Sequence, residues 1–270
     1  MSTFYICPTP IGNLEDISER LLKTLKSVDV IYCEDTRRAK KLMDHFSIST
    51  PLKSYFVGNE LYKIDEIEST LFENKDIALI SDAGTPLISD PGSELIRHLV
   101  SKGFEIISIP GPSSVITALT VSGFEISKFQ FLGFIPKAGK ERTEFLVRLF
   151  NSEISSVCFT SPKRLLKDLE YFEKEGLDSE LVICRELTKK FETIYRGTAE
   201  SLKNKISENI KGEITIVVAP SKKNNNIDLD LDKAIGILLE QKVPKRELAK
   251  TLSLVTDISV NDLYERVKDL

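Results

Sequence analysis

Histidine is almost missing from this 270-residue chain: His45 and His98 are the whole supply, which leaves little for a histidine-rich metal site or a His-dependent catalytic triad. Cysteine is sparse and unpatterned. Cys7, Cys33, Cys158 and Cys184 form no CxxC pair, and each sits in or beside an apolar run, so they read as reduced, buried small hydrophobes and not as disulfides or zinc ligands. No apolar run approaches the roughly 18–20 residues of a membrane span. The opening Met1-Ser2-Thr3-Phe4 lacks a basic region followed by an apolar core, so a cytoplasmic protein without a membrane partner is expected. Gly139-Lys140 is followed by Glu141, which rules out a Walker loop, and no GxGxxG follows the first apolar run. Kinase, P-loop and standard dinucleotide readings therefore lose ground. Positive charge is not in excess either: 37 Lys and Arg against 41 Asp and Glu give a net −4, which argues against strong non-specific binding of polyanions.

What is present is an ordinary globular composition, 41% hydrophobic and 29% charged, in a chain long enough for one large or two modest domains. Short β-rich runs at Phe4–Cys7, Val28–Cys33, Ile77–Ile80 and Phe104–Ile109 alternate with helical patterns such as Ile17, Leu21, Leu22 and Leu25. Near-continuous apolar strands in β-α alternation predict a mainly parallel sheet covered on both faces. A second set follows. It contains a helix over Ser113–Ser122 ended by Gly123, and strands at Phe129–Gly133, Ser156–Thr160, Leu181–Arg185, Thr193–Tyr195 and Glu213–Val218. The fold class is therefore α/β, as two consecutive α/β domains with a ligand cleft between them and a small C-terminal helical extension resembling a helix-turn-helix. The expected division is 1–111 (mainly parallel sheet), 112–220 (mixed sheet), a linker at 221–227 around Asn224-Asn225-Asn226, and a helical extension at 228–270. The extension is read either as an RNA contact or as helices packed on the body.

Two glycine- and proline-rich turns stand out, Ser81-Asp82-Ala83-Gly84-Thr85-Pro86-Leu87-Ile88-Ser89-Asp90-Pro91-Gly92 and Ile109-Pro110-Gly111-Pro112-Ser113-Ser114. Each follows an apolar run and precedes a helix, the position at which α/β sheets bind ligands, and glycine there lets backbone approach a ligand closely. Polar clusters stand at other strand ends: Thr9–Leu14, Glu34–Arg38, Tyr55–Glu60, Thr160–Arg164 and Arg185–Glu192. Any one is explained by solvation; five with two glycine-proline loops point to a site.

The motifs PTPIGNLEDIS, CEDTRR, LISDAGTPLISDPG, IPGPSS, GFIP, CRELTKKFETIYRG and GEITIVV, in this order over roughly residues 4 to 219, resemble the tetrapyrrole-methylase-like class of S-adenosylmethionine enzymes. Within it they look closest to the bacterial 16S ribosomal RNA cytidine 2′-O-methyltransferases. The resemblance implies S-adenosylmethionine as methyl donor, no metal, 16S ribosomal RNA within the small subunit as partner, and a homodimer. It also implies that Pro10, Ser81, Asp82, Ala83, Gly84, Thr85, Pro86, Ile88, Ser89, Ser113, Ala118 and Leu119 line the donor pocket. Phe159, Thr160, Gly212, Glu213, Ile214 and Thr215 would close it from the second domain. Asp82 and Asp90 suit the positive groups of such a ligand. Corrin- and siroheme-forming members usually carry Gly-Asp-Pro where this chain has Ser81–Pro86, which favours RNA over the alternative, a tetrapyrrole acceptor. A third alternative is an S-adenosylmethionine-sensing regulator that binds nucleic acid. For methyl transfer to a ribose 2′-hydroxyl, Glu60 or Glu186 is the expected proton acceptor, with Asn59, Arg37, Arg185 and Lys189 orienting ribose and phosphate. Local basic patches for RNA are Lys137, Lys140 and Arg142; Lys163 and Arg164; Lys189 and Lys190; and Lys242, Lys245 and Arg246.

Overall fold

The computed structural model describes residues 2–175, 177, 179–207, 209–221, 231–241, 243–253 and 258–268. The expected Asn224–Asn226 linker and Lys242 lie outside them. The chain divides into two compact units, Met1–Pro220 and Ser221–Leu270.

The first sheet holds β1 (Thr3–Cys7), β2 (Val30–Cys33), β3 (Leu52–Ser54), β4 (Ile77–Ile80) and β5 (Glu105–Ser108), all parallel, in the order β3-β2-β4-β1-β5. Helices α1 (Glu19–Ser27), α2 (Thr36–His45), α3 (Glu60–Phe72) and α4 (Ser93–Ser101) cross over between them. Successive strand residues point to opposite faces, and both faces are apolar. Cys7, Ile31, Cys33, Ala78 and Ile80 pack with Leu21, Leu25, Ala39 and Met43, whereas Phe4, Val30, Tyr32, Ile77 and Leu79 pack with Ile67, Leu71, Leu95 and Leu99. Strand β1 lies between β4 and β5, so the chain leaves its carboxyl end toward β2 while β5 forms on its other side. That reversal opens the crevice in which α/β sheets take ligands.

Helix α5 (Ser114–Ser122) leads into the second sheet, made of β6 (Phe129–Phe134), β7 (Ser155–Thr160), β8 (Leu181–Arg185), β9 (Thr193–Gly197) and β10 (Ile214–Val218). Its order is β6-β7-β10-β8-β9, with β6 and β7 parallel and the other pairs antiparallel. Helices α6 (Gly139–Phe150), α7 (Pro162–Lys174) and α8 (Ala199–Lys205) supply Leu146, Leu149, Leu165, Leu169, Phe172 and Leu202 to one face. On the other face α5 packs Val115, Ala118 and Leu119 against Val157, Val182 and Val217, joined by Ile11 from the loop after β1. The two halves thus share one apolar layer.

The structure departs from the sequence reading at β2, at α2 and at β3, the last a three-residue strand that no apolar run marks. Val28 caps α1 instead of opening β2, its backbone N–H donating to Thr24. The polar run after β2 forms α2, capped by Asp35, whose side chain accepts from the Arg37 N–H. All four cysteines are free and buried; burial pushes the Cys7 and Cys33 thiols up to about 12, which disfavours thiolate chemistry.

The second unit comprises α9 (Leu231–Glu240), α10 (Lys245–Ser253) and α11 (Val260–Val267), which close their own small core of Ile235, Leu248, Ala249, Leu252, Leu263 and Val267. Ser259 caps α11, accepting from the Asp262 N–H. Among the described residues no helix is long and apolar enough to cross a membrane.

Candidate functional site

A cavity of about 390 Å³ opens between the carboxyl edge of the first sheet and the second sheet. Its first wall is the loop after β4 (Asp82, Ala83, Gly84, Thr85, Ile88, Ser89, Asp90), with Ile11 and the start of α5 (Ser113, Ser114, Val115). The facing wall is Phe134, Phe159, Thr160, Ser161, Pro162, Cys184, Leu187 and Gly212, Glu213, Ile214 and Thr215. The β4 loop is held tightly. Thr9 and Gly84 exchange backbone hydrogen bonds of 2.9 and 3.0 Å, and the Thr85 hydroxyl donates to the Pro112 carbonyl at 3.2 Å, tying the two glycine-proline turns together.

Unfavourable backbone collects on both walls. Gly84, Leu87, Ser89 and Gly92 have φ of +81°, +74°, +74° and +126°, and opposite them Glu186, Thr188 and Gly212 have +51°, +65° and +102°. Each non-glycine residue held there costs on the order of 1–3 kcal/mol, and such strain gathers at ligand sites. The floor is acidic. Burial, then the charges of Glu34 and Asp82, push the Asp90 carboxyl up to about 6 against a hydrogen bond from Ser81. Glu34 is raised too, by its own burial first and by Asp82 next. Arg38 answers this charge, its Nη1 donating to Asp82 Oδ2 at 2.8 Å.

Of the residues expected around a donor, Asp82, Ala83, Gly84, Thr85, Ile88, Ser89, Ser113, Phe159, Thr160, Gly212, Glu213, Ile214 and Thr215 surround this cavity. Pro10 and Ser81 instead line an adjoining cavity of about 220 Å³ with Arg38 and Lys41, and Asp82 borders both. Pro86 is buried in the loop, and Ala118 and Leu119 lie in the apolar layer beneath. Ile11, Val115, Phe134, Cys184 and Leu187 were not anticipated. Leu187 carried a signal, as an apolar residue inside a charged run directly after a strand.

The expected catalytic residues are dispersed. Arg37 turns outward onto Asp35, at 2.7 Å. Asn59 is spent on its own loop, Oδ1 accepting from the Phe56 N–H at 2.9 Å and Nδ2 donating to the Ser54 carbonyl at 3.3 Å. Arg185 donates to the carbonyls of Lys211 and Phe191, at 2.6 and 3.2 Å. Glu186 and Lys189 pair with each other at 2.8 Å beside the cavity wall, and hydrogen bonds, first from Lys189 and then from the Glu213 N–H, hold the Glu186 carboxyl below its usual range despite desolvation. Glu60 stands in the first turn of α3, near enough to Tyr55 that its charge adds to burial in raising the phenol pKa.

Residues 3–203 match the family model of tetrapyrrole (corrin/porphyrin) methylases. The chain belongs to the tetrapyrrole methylase family. It is 38% identical, over 97% of its length and 92% of theirs, to a ribosomal RNA small subunit methyltransferase I of Vibrio cholerae. It is 44% identical to a protein of the same name from Mycoplasmopsis pulmonis, over 80% of this chain and 97% of that one. Among solved structures, diphthine synthase superposes with a TM-score of 0.63 at 16% identity, covering 81% of this chain and 90% of the other, which is likeness of fold.

In this tetrapyrrole methylase family member, two of the expected RNA-facing arginines turn inward. Arg142 and Arg164 both reach the buried Asp168, at 2.9 and 3.4 Å, and both donate to the Pro136 carbonyl, while Thr160 donates to Asp168 Oδ2 at 2.6 Å. Lys137, Lys140, Lys163 and Lys190 remain at the surface. Lys245 donates to the Lys268 carbonyl at 2.9 Å, and Arg246 is exposed. Among the described residues no cluster of His, Cys, Asp and Glu could hold a metal ion.

Proposed function

We propose that the protein transfers the methyl group of S-adenosylmethionine to the 2′-hydroxyl of a cytidine in 16S ribosomal RNA, within the small ribosomal subunit. The observation that carries this reading is the cavity itself: its acidic floor and glycine-built walls come from the residues that the resemblance gives to the donor. A sulfonium and an ammonium group are cationic, and the carboxylates of Asp82 and Asp90 face the space they would occupy. The relatives named as small-subunit methyltransferases support RNA as the acceptor.

The sulfonium methyl is already activated. The carbon–sulfur bond breaks as the carbon–oxygen bond forms, S-adenosylhomocysteine leaves, and the hydroxyl proton passes to a base, so positioning supplies much of the rate. Of the two carboxylates expected in that role, Glu60 is the better base. Its side chain has no hydrogen bond or ion pair among the described residues, whereas Glu186 is neutralised by Lys189. Asp82 and Asp90 hold the donor, and Lys137, Lys140, Lys163 and Lys190 meet phosphate. The same reading has the protein acting in the cytoplasm as a homodimer.

The test is incubation with labelled S-adenosylmethionine and small subunits, naked 16S RNA or a corrinoid precursor, followed by nucleoside mass spectrometry. Label in 2′-O-methylcytidine is expected; label in the corrinoid, in a base, or nowhere overturns the reading. Glu60→Gln is expected to lower kcat about a hundredfold with donor affinity unchanged, and a near-native rate would remove Glu60 from the role.

A further inference from the structure

The polar turn after β8 does something other than chemistry. Glu186 Oε1 accepts from Lys189 Nζ at 2.8 Å and from the Glu213 backbone N–H at 2.9 Å, while the Glu186 N–H donates to the Glu213 carbonyl at 3.0 Å. Lys189 Nζ also donates to the Glu213 carboxylate at 3.0 Å. Glu186 lies flat on Gly212: a Cβ there would stand 2.4 Å from Glu186 Cγ. The turn therefore grips Gly212 and Glu213, the start of the cavity's second wall.

The same turn also grips the first half of the molecule. A Cβ on Gly12 would stand 2.3 Å from Lys189 Cγ and 2.8 Å from Thr188 Oγ1, so the lysine stem occupies the space that glycine leaves open. The Asn13 N–H donates to Thr188 Oγ1 at 3.1 Å. Ile11, one residue before Gly12, lines the cavity, and so does Leu187 between the two gripping residues. Glu186, Thr188 and Lys189 thus hold both walls at once, and the Glu186–Lys189 pair is partly shielded, with side-chain exposures of 19% for Glu186 and 28% for Lys189.

We infer that Glu186 and Lys189 are positioning residues, an ion-paired clamp that fixes the separation of the two cavity walls and thereby sets affinity for the methyl donor, and that Glu186 takes no proton in the reaction. The inference rests on the cavity being the donor site. A carboxylate already shared by an ammonium and an amide N–H is a poor proton acceptor, and its lowered pKa agrees with that.

The experiment uses the full chain with Glu186→Gln and Lys189→Gln, each checked for a native thermal transition. Calorimetry with S-adenosylmethionine and S-adenosylhomocysteine is read separately from steady-state rates on small subunits. Both variants are expected to bind both ligands roughly tenfold more weakly, from loss of a charge-assisted hydrogen bond. Rate at saturating donor should stay within about twofold, and the acid limb of the pH–rate profile should be unchanged. Unaltered binding in both variants overturns the clamp. So does a collapse of kcat, or loss of the acid limb, in Glu186→Gln with affinity intact, since that is the behaviour of a base. If the native protein binds the donor but methylates no RNA, the acceptor assignment has failed and the binding comparison still decides the clamp.

Discussion

Asp90 combines charge and burial at one carboxyl that lines the proposed donor site. Its pKa rises from 3.8 to about 6 because burial, Glu34 and Asp82 all disfavour its charged form. Between those two values the folded protein holds a proton that the unfolded chain releases. This group therefore favours folding at the acid end, and that contribution is lost as pH rises through about 6. A cationic donor reverses the balance by stabilising the carboxylate, so binding near pH 6 should release a proton. Donor Kd is expected to rise as pH falls from 7 to 5, with heats that differ between buffers of unlike ionisation enthalpy. Asp90→Asn should bind weakly at pH 7 and lose most of that pH dependence; a flat Kd in the native protein would refute the coupling. Such side-chain detail was only partly legible in the sequence. CEDTRR marked a strand-end cluster, but Arg37 and Arg38 are one helical step apart, and the rotation that turns Arg37 onto Asp35 sends Arg38 to Asp82. Arg142 and Arg164 looked like free cations because their partner, Asp168, lies on α7, far from Arg142 in sequence.

Among the elements, the loop from β4 to α4 carries the heaviest conformational demand. Gly92 is the N-cap of α4 at φ +126°, and a Cβ there would meet Leu87 Cδ2 at 2.6 Å. Gly92→Ala must strain the backbone and displace Leu87, whose neighbours Ile88 and Ser89 line the cavity. The expected cost is about 1–3 kcal/mol in urea unfolding together with weaker donor binding; a variant matching the native protein in both would show that the turn is not constrained. This loop was readable because its glycines and prolines declare the turn. Strands β1, β2 and β4 were readable because burial on both faces leaves unbroken apolar runs. Strand β3 was not: it has three residues at a sheet edge and buries none of them fully. Helix α2 was hidden for a related reason, since only Ala39 and Met43 are buried in a run otherwise dominated by charge.

For the whole molecule, the question is which unit holds which task. Every described residue lining the cavity belongs to Met1–Pro220, and the helical unit closes a core of its own. A relative that aligns along 97% of its own length, yet over 80% of this chain, shows that family members exist without a counterpart to about a fifth of it. Donor binding and the chemical step are therefore expected of residues 1–220 alone. The helices would add contacts to a large substrate, for which a net charge of −4 provides no general attraction. Removing residues 221–270 should leave S-adenosylmethionine Kd and kcat unchanged while raising KM for small subunits several-fold, with a shallower salt dependence if the tail meets phosphate. An unchanged KM would assign the tail to something other than the acceptor, whereas lost donor binding would refute the assignment of donor binding to residues 1–220 alone.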